Sequence, residues 1–256
     1  MKLTANPKLW KTGKWLLASA AILGSVGLVA LKEEEKSFRD IVINIDNQYD
    51  NYFINENDVM HLLTEGGTEK ILGAGYESLS LKKLENRLKT HKFVNGTEVY
   101  KDFKGNLFVN ITQNRPLARI VRQYSAHAYI GTEGQILPVS ERFTARVPLI
   151  SGPYTDKLVK QDLTETEDGR AIYELLRFIE SDPFWKAQIA QLDIDAKGNI
   201  TMYPQVTKQI IEFGKAGQIE QKFKKLKIFY TKILPGQGWN NYRKVNVKYQ
   251  DQIICE

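Results

Sequence analysis

Residues Trp15 to Leu31 read WLLASAAILGSVGLVAL, seventeen residues without a charge. Four lysines precede the run (Lys2, Lys8, Lys11 and Lys14), and the first acidic residue after it is Glu33. An apolar run that is basic on one side only enters a membrane with its basic flank in the cytoplasm. At about 1.5 Å per residue a helix of this length reaches roughly 25 Å, the short end of what crosses a bilayer. Trp10 and Trp15 bracket the basic side, where indole rings favour the headgroup region. A cleaved signal peptide shares the basic start and the apolar middle. Cleavage, however, needs small residues at alternate positions just past the apolar run. Leu28-Val29-Ala30 offers a large residue at one of them, and Ala18-Ser19-Ala20 lies inside the run. The segment therefore reads as a retained anchor. Everything after Leu31 becomes a polar module on the far side of the membrane.

That module is long enough for one large domain or two small ones. With 42% apolar and 26% charged residues overall, it is expected to fold. Part of the net charge of +6 is the lysine-rich head, and part is the late run Lys222-Phe-Lys224-Lys225-Leu-Lys227. These later lysines are expected on the solvated face of an amphipathic helix, which sets nucleic-acid binding aside. One cysteine, Cys255, rules out an internal disulfide and a cysteine-based metal cluster.

After a charged collar, Lys32 to Lys36, periodicity outlines the module. Ser37 to Asp46 alternates around Ile41, Ile43 and Ile45 as a half-buried strand. Asn55 caps a helix over Glu56 to Glu65 that Gly66-Gly67 ends, and Ser80 caps a second helix with Leu81, Leu84 and Leu88 on one face. Strands Gly96 to Phe103 and Asn106 to Thr112 form a hairpin at Lys104-Gly105. Arg115-Pro116 marks a boundary. Short strands follow over Ala118 to Gln123, Ala126 to Tyr129 and Gln135 to Val139. Gly152-Pro153 makes a turn, and Asp182-Pro183 stops a helix that spans Asp168 to Glu180. Strands Gln188 to Asp195 and Asn199 to Tyr203 form a second hairpin, and Lys208 to Phe213 adds another strand. A last helix, Ile219 to Leu234, ends at Pro235-Gly236. Lys244 to Tyr249 and Gln252 to Cys255 are strand-like.

Catalytic chemistry is hard to find in this pattern. His61, His91 and His127 lie in no metal-ligand spacing. Asp193-Ile-Asp195-Ala-Lys197-Gly198 begins like a calcium loop, but it carries Lys197 at the fifth position and Pro204 where a bidentate glutamate belongs, so it reads as a hairpin turn. Gly73-Ala-Gly75 does not continue into a phosphate-binding loop, and no serine stands in a nucleophile elbow. Glu165 and Glu167 sit in exposed polar sequence without the burial that tunes a general acid or base. The chain reads as a non-enzyme with no cofactor, no metal and no small-molecule substrate.

Strand, helix, helix, strand, strand directly after an anchor resembles a POTRA domain. The next segment is sharper. Arg115-Pro116-Leu117-Ala118, then Ala128-Tyr129-Ile130-Gly131-Thr132-Glu133-Gly134-Gln135-Ile136-Leu137-Pro138, then Ala145-Arg146-Val147-Pro148-Leu149-Ile150-Ser151-Gly152 is similar to the FtsQ/DivIB cell-division family. Lys244-Val245-Asn246-Val247-Lys248-Tyr249 resembles that family's terminal strand. The sequence departs from the pattern at Thr132, Asn246 and Lys248. The resemblance implies an α+β architecture: a cytoplasmic head (residues 1–14), a transmembrane helix (15–31), a POTRA domain (37–114) and a mixed β-sheet domain with two helices (115–256). It also implies a bitopic scaffold of the inner membrane at the division septum that recruits partners of the FtsB and FtsL type.

The final stretch, Val245 to Cys255, is rich in β-branched residues and modestly charged, so as a terminal strand it leaves a poorly protected edge. A partner strand adding there is expected to meet Val247, Tyr249, Asp251, Gln252 and Ile253, with Tyr249 as the anchor. Another reading makes the chain a POTRA-based periplasmic chaperone or assembly factor for outer-membrane polypeptides. Such a factor carries a barrel pattern of many alternating strands of about ten residues, which the two interleaved helices do not fit. For the anchor reading, protease added to spheroplasts is expected to degrade the bulk of the protein. A mature N-terminus near Leu31 by N-terminal sequencing would overturn it.

Overall fold

The computed structural model describes residues 37–47 and 51–256. The apolar run of residues 15–31 and the basic head lie outside the described residues. Among the described residues no helix is long and apolar enough to cross a membrane. The described chain forms two units. One holds residues 37–46 and 54–112, and the other holds residue 47, residues 51–53 and residues 113–256.

The first unit has the element order β1 (Asp40–Asp46), α1 (Glu56–Leu63), α2 (Leu81–Leu88), β2 (Val94–Lys101) and β3 (Asn106–Gln113). Alternation in β1 turns Ile41, Ile43 and Ile45 toward the core and Asp40, Val42, Asn44 and Asp46 to solvent. α1 starts at a reciprocal capping box. Asp58 N donates to Asn55 Oδ1 and Asn55 N donates to Asp58 Oδ2, each at 2.9 Å. Ser80 caps α2 by accepting from Lys83 N. The strands lie in the order β1-β3-β2. β1 runs parallel to β3 in unbroken register from Asp40 opposite Asn106 to Asp46 opposite Thr112. Val59, Leu63, Leu84 and Leu88 from the helices bury against Val99, Leu107, Val109 and Ile111 of the sheet, while Leu62 and Leu81 pack at the margin. Arg87 ties the two helices together: it donates to Leu63 O at 2.8 Å and pairs with Glu65 and Glu69.

The second unit is built on a nine-stranded mixed sheet. Its strands are β4 (Pro116–Ile120), β5 (Ala128–Gly131), β6 (Ile136–Pro138), β7 (Leu149–Ser151), β8 (Ile189–Ile194), β9 (Ile200–Pro204), β10 (Ile210–Gly214), β11 (Lys244–Asn246) and β12 (Ile254–Cys255). They lie in the order β12-β11-β10-β9-β8-β7-β4-β5-β6. β7, which periodicity does not reveal, pairs in parallel with β4 on one side and with β8 on the other. Gly152 follows it at φ +98°, where a Cβ would stand 2.3 Å from Ile194 O. Only glycine fits so close to the neighbouring backbone.

The helices of this unit are α3 (Thr155–Leu158), α4 (Glu167–Ser181), α5 (Pro183–Gln188), α6 (Ile219–Ile228) and α7 (Leu234–Gln237). α4 buries Ile172, Leu175, Leu176 and Ile179. α6 buries Phe223 and Leu226. Phe223 sits at the centre of an aromatic cluster, stacked on Phe178 at 4.7 Å and set edge-on to Trp185 at 4.8 Å.

Two proline expectations change. Asp182-Pro183 ends α4 but also begins α5: Asp182 Oδ1 accepts from Phe184 N at 2.8 Å, and Pro183 takes the first helical position, where no N–H is needed. Nor does Pro235 end the last helix. The chain widens into a π turn over Phe229–Ile233 and continues as α7 to Gly238, at φ +99°. The wider turn accommodates a residue that has no N–H to give.

Residues 51–53, although they precede α1, join the second unit through a buried glutamine. Gln113 Oε1 accepts from Phe53 N at 3.1 Å, and its Nε2 donates to Asn51 O at 2.7 Å. Phe53 then packs edge-on to Tyr129 and to Phe143. Because Leu84 is almost wholly buried in the first unit, Leu84→Ala is expected to cost about 2–5 kcal/mol in chemical denaturation. A loss under about 0.5 kcal/mol would show that α2 does not pack as described.

Candidate functional site: the C-terminal sheet edge

The residues expected at the partner site do not lie along one strand. β11 stops at Asn246, residues 247–253 turn back, and β12 returns antiparallel with Val245 opposite Cys255 and Asn246 opposite Ile254. The single strand expected over Val247 to Ile253 is thus a hairpin connection. The reason is register. Val247 is fully buried and its N–H donates to Glu212 O at 3.1 Å, so it belongs to the seam with β10. Lys248 N then bonds Asn246 Oδ1 at 3.0 Å, a local turn contact that takes the chain out of the ladder.

Of the five expected residues, Val247 is core. Tyr249 is half exposed, at 50%. Asp251 and Gln252 are exposed at the turn, and Ile253 is partly buried against the core. Tyr249 is therefore not a core residue, and the outer edge belongs to Ile254 and Cys255.

Three features hold this hairpin. The first is Glu212 of β10, which accepts from Lys248 Nζ at 2.8 Å and Asn246 Nδ2 at 2.8 Å and pairs with Lys244 Nζ at 3.1 Å. The Lys248 and Lys244 ammonium groups hold its carboxyl below the usual carboxylate range. The second is Lys225 of α6, whose Nζ donates to Val247 O at 2.8 Å and also to Tyr249 O. Burial pushes its pKa down, partly offset by the Asp251 charge. The third is the strand pair itself: Lys244 N donates to Glu256 O at 2.9 Å, and Glu256 N donates to Lys244 O at 3.0 Å.

The lysine run therefore needs correction. Lys224 and Lys227 are exposed as expected, but Lys225 grips the hairpin and Lys222 is buried. Lys222 Nζ donates to Lys215 O at 2.7 Å and lies 4.6 Å from the Phe213 ring centroid. Its aliphatic stem fills the flank of α6, and the carbonyl and the ring face replace a carboxylate partner. Helical periodicity alone sees four cations and cannot tell which of them the sheet covers.

Pairing alternation sets what the edge offers. In an antiparallel pair, opposed residues alternate between exchanging two hydrogen bonds and exchanging none. Lys244 and Glu256 exchange both, so the next pair, Val245 and Cys255, exchanges none. The N–H and C=O of Cys255 point away from β11. Among the described residues no strand lies beyond β12. The opposite edge, β6, is three residues long and ends at Pro138, which has no N–H to offer.

Elsewhere the groups that the sequence singles out for chemistry serve structure. Asp195 Oδ1 accepts from Lys197 N and Asn199 N, each at 2.8 Å, and so closes the β8–β9 hairpin, as the sequence reading expects of the calcium-like run. His127 Nδ1 accepts from Arg122 N, and His91 Nδ1 from Phe93 N. A cleft of about 870 Å³ is lined by Tyr52, Arg115, Phe143, Arg146, Glu180 and Lys186 among others. Its one lining carboxylate, Glu180, is bridged by Arg115 and Lys186.

Glu212, with its lowered pKa, stabilises the hairpin above the ordinary carboxylate range, and that contribution disappears as pH falls through the lowered value. Hydrogen-exchange protection of the β11 and β12 amides is expected to drop on acidification below about pH 4. Glu212→Gln is expected to lower that protection about fivefold at neutral pH and to flatten its pH dependence, in keeping with the ~1 kcal/mol of a partly exposed ion pair. Equal protection in the variant and the parent would mean that Glu212 does not hold the hairpin.

No curated protein compared with the chain matches it. The POTRA-like domain family matches residues 37–112, the two-helix, three-stranded unit. The family described as FtsQ/DivIB, C-terminal related, matches residues 115–256, the nine-stranded sheet with its helices and its open C-terminal edge. With more than half of its length covered by that match, the chain belongs to the FtsQ/DivIB family of cell-division proteins.

Proposed function

We propose that the protein is a non-catalytic, single-pass scaffold of the division machinery. Residues 15–31 anchor it in the inner membrane, residues 37–114 form its POTRA domain, and residues 115–256 recruit a membrane partner of the FtsB or FtsL type at the septum. The observation that carries the reading is the C-terminal edge: a strand held firmly from behind by Glu212 and Lys225, with the Cys255 backbone groups turned outward. An exposed edge is either a liability or a binding site. Here the template is already rigid, so an added strand gains main-chain hydrogen bonds while the scaffold loses little freedom. Tyr249, half exposed beside the turn, offers a partner a large ring at small entropic cost. Family membership supports a role in the divisome.

The structure suggests a cleaner test than a proline at Asp251, because Asp251 lies in the turn and not in the ladder. Cys255→Pro removes the outward N–H while leaving the pairing with β11 intact, since that N–H makes no bond to β11. It is expected to abolish or strongly weaken capture of the partner from crosslinked membranes while thermal unfolding stays near that of the parent. Tyr249→Ala is expected to cost about 2 kcal/mol or more in partner binding. Unchanged partner capture by the chain truncated after Tyr249 would defeat the proposed site, and unfolding of Tyr249→Ala would defeat the role of the ring as an anchor.

A further inference from the structure

The parallel register of the first unit places two parts of the chain at the same end of its sheet. β1 starts opposite the start of β3, and Arg39 N donates to Gly105 O at 2.9 Å. The turn Asp102–Gly105 between β2 and β3 therefore lies beside Ser37–Arg39, where the described chain begins. Gly105, at φ +99°, lets the two backbones touch, since a Cβ there would stand 2.8 Å from Ser37 O. Five residues, Lys32 to Lys36, separate Ser37 from Leu31, the end of the apolar run, and the six Cα-to-Cα steps between them reach at most about 20 Å when fully extended.

This turn carries Phe103, the most exposed aromatic residue among the described residues, with no protein surface over its ring (104%). A single exposed apolar side chain is ordinary. This one stands at the end of the sheet where the described chain begins, beside Lys104, and its turn is held by side-chain hydrogen bonds. Asp102 Oδ1 accepts from Lys104 N at 2.9 Å and Asn106 N at 2.8 Å, and its Oδ2 accepts from Asn106 Nδ2 at 2.8 Å. The carboxylate is thus spent on the turn. Lys101 next to it lies 3.9 Å above the Tyr76 ring. An apolar row crosses the three strands on the solvent face of the sheet, a few residues from the tip: Val42 pairs with Phe108, and Phe108 stacks on Tyr100 at 5.1 Å with planes 8° apart.

We propose that the β2–β3 hairpin tip rests in the headgroup layer of the bilayer, with the Phe103 ring inserted at the interface and Lys104 reaching the lipid phosphates. The inference rests on the reading of residues 15–31 as an anchor. Aromatic rings favour the interfacial layer, and a lysine stem lies along apolar surface while its ammonium stays among phosphates. A second point of attachment sets the orientation of the unit at the membrane, which a five-residue tether alone leaves free.

The test uses the full chain in phospholipid vesicles. Phe103→Cys and, as control, Asn95→Cys at the far end of β2, each in a Cys255→Ser background, carry an environment-sensitive fluorophore. The label at 103 is expected to shift to the blue and to be quenched about twofold more than the label at 95 by lipids spin-labelled near the headgroup. Lys104→Glu is expected to reduce that quenching. If the protein floats with the vesicles but the label at 103 is as aqueous as that at 95, the tip proposal fails and the anchor stands. If the label is shielded without lipid quenching, protein covers the tip and the proposal fails as well. If the chain does not float with the vesicles, the anchor reading falls and the inference falls with it.

Discussion

The second unit depends on three residues. Among the described residues, Leu149, Ile150 and Ser151 form the only strand between β4 and β8 in the sheet, and they bond in parallel to both. Without them the other eight strands separate into a β4-β5-β6 meander and a β8-to-β12 sheet. Ile150 is wholly buried and sits in one core with Ile120 and Leu192 from its two neighbours. Gly152 lets the chain leave this crowded position against the Ile194 carbonyl. A parallel strand needs crossover connections on both sides, and the helical segments between β7 and β8 supply one of them.

Continuity across β7 gives the C-terminal edge its stiffness. β12 is only two residues long, and alone such a strand has little to hold it. It is held because β11 is locked to β10, β10 to β9, and so on into the core under α4 and α6. Glu212 reinforces the pairing from within the sheet and Lys225 from the helix above. The two ends of the sheet are treated differently. β6 closes with a proline, whereas β12 is left open with its backbone groups pre-aligned. That asymmetry fits the proposed scaffold, for which a second open edge would add only aggregation risk.

The first unit obeys the same economy of charge. Arg87 and the two glutamates it meets fasten the helices to each other, and the capping box at Asn55 fixes where α1 begins. Asn55, Asp58, Ser80 and Asp102 spend their side-chain groups on caps and a turn. The unit's solvent face also carries apolar features: the row across Val42, Phe108 and Tyr100, and the ring of Phe103.

The sequence by itself determined what depends on neighbours a few residues apart. The alternation of Ile41, Ile43 and Ile45, the caps at Asn55 and Ser80, the hairpins at Gly105 and Gly198 and the core faces of α4 and α6 follow from local periodicity and turn chemistry. Motifs from Arg115 to Gly152 carried the family. Tertiary structure alone decided whatever depends on strands distant in sequence. β7 is too short to show a period, and it is a strand only because β4 and β8 flank it. Val245 to Cys255 reads as one strand until β10 claims Val247, which forces the chain to fold back and moves the open edge to Cys255. Lys222 and Lys225 look like their solvated neighbours until Phe213 and the hairpin carbonyls close over them. In each case the deciding energy comes from contacts between residues far apart along the chain, which local pattern does not encode.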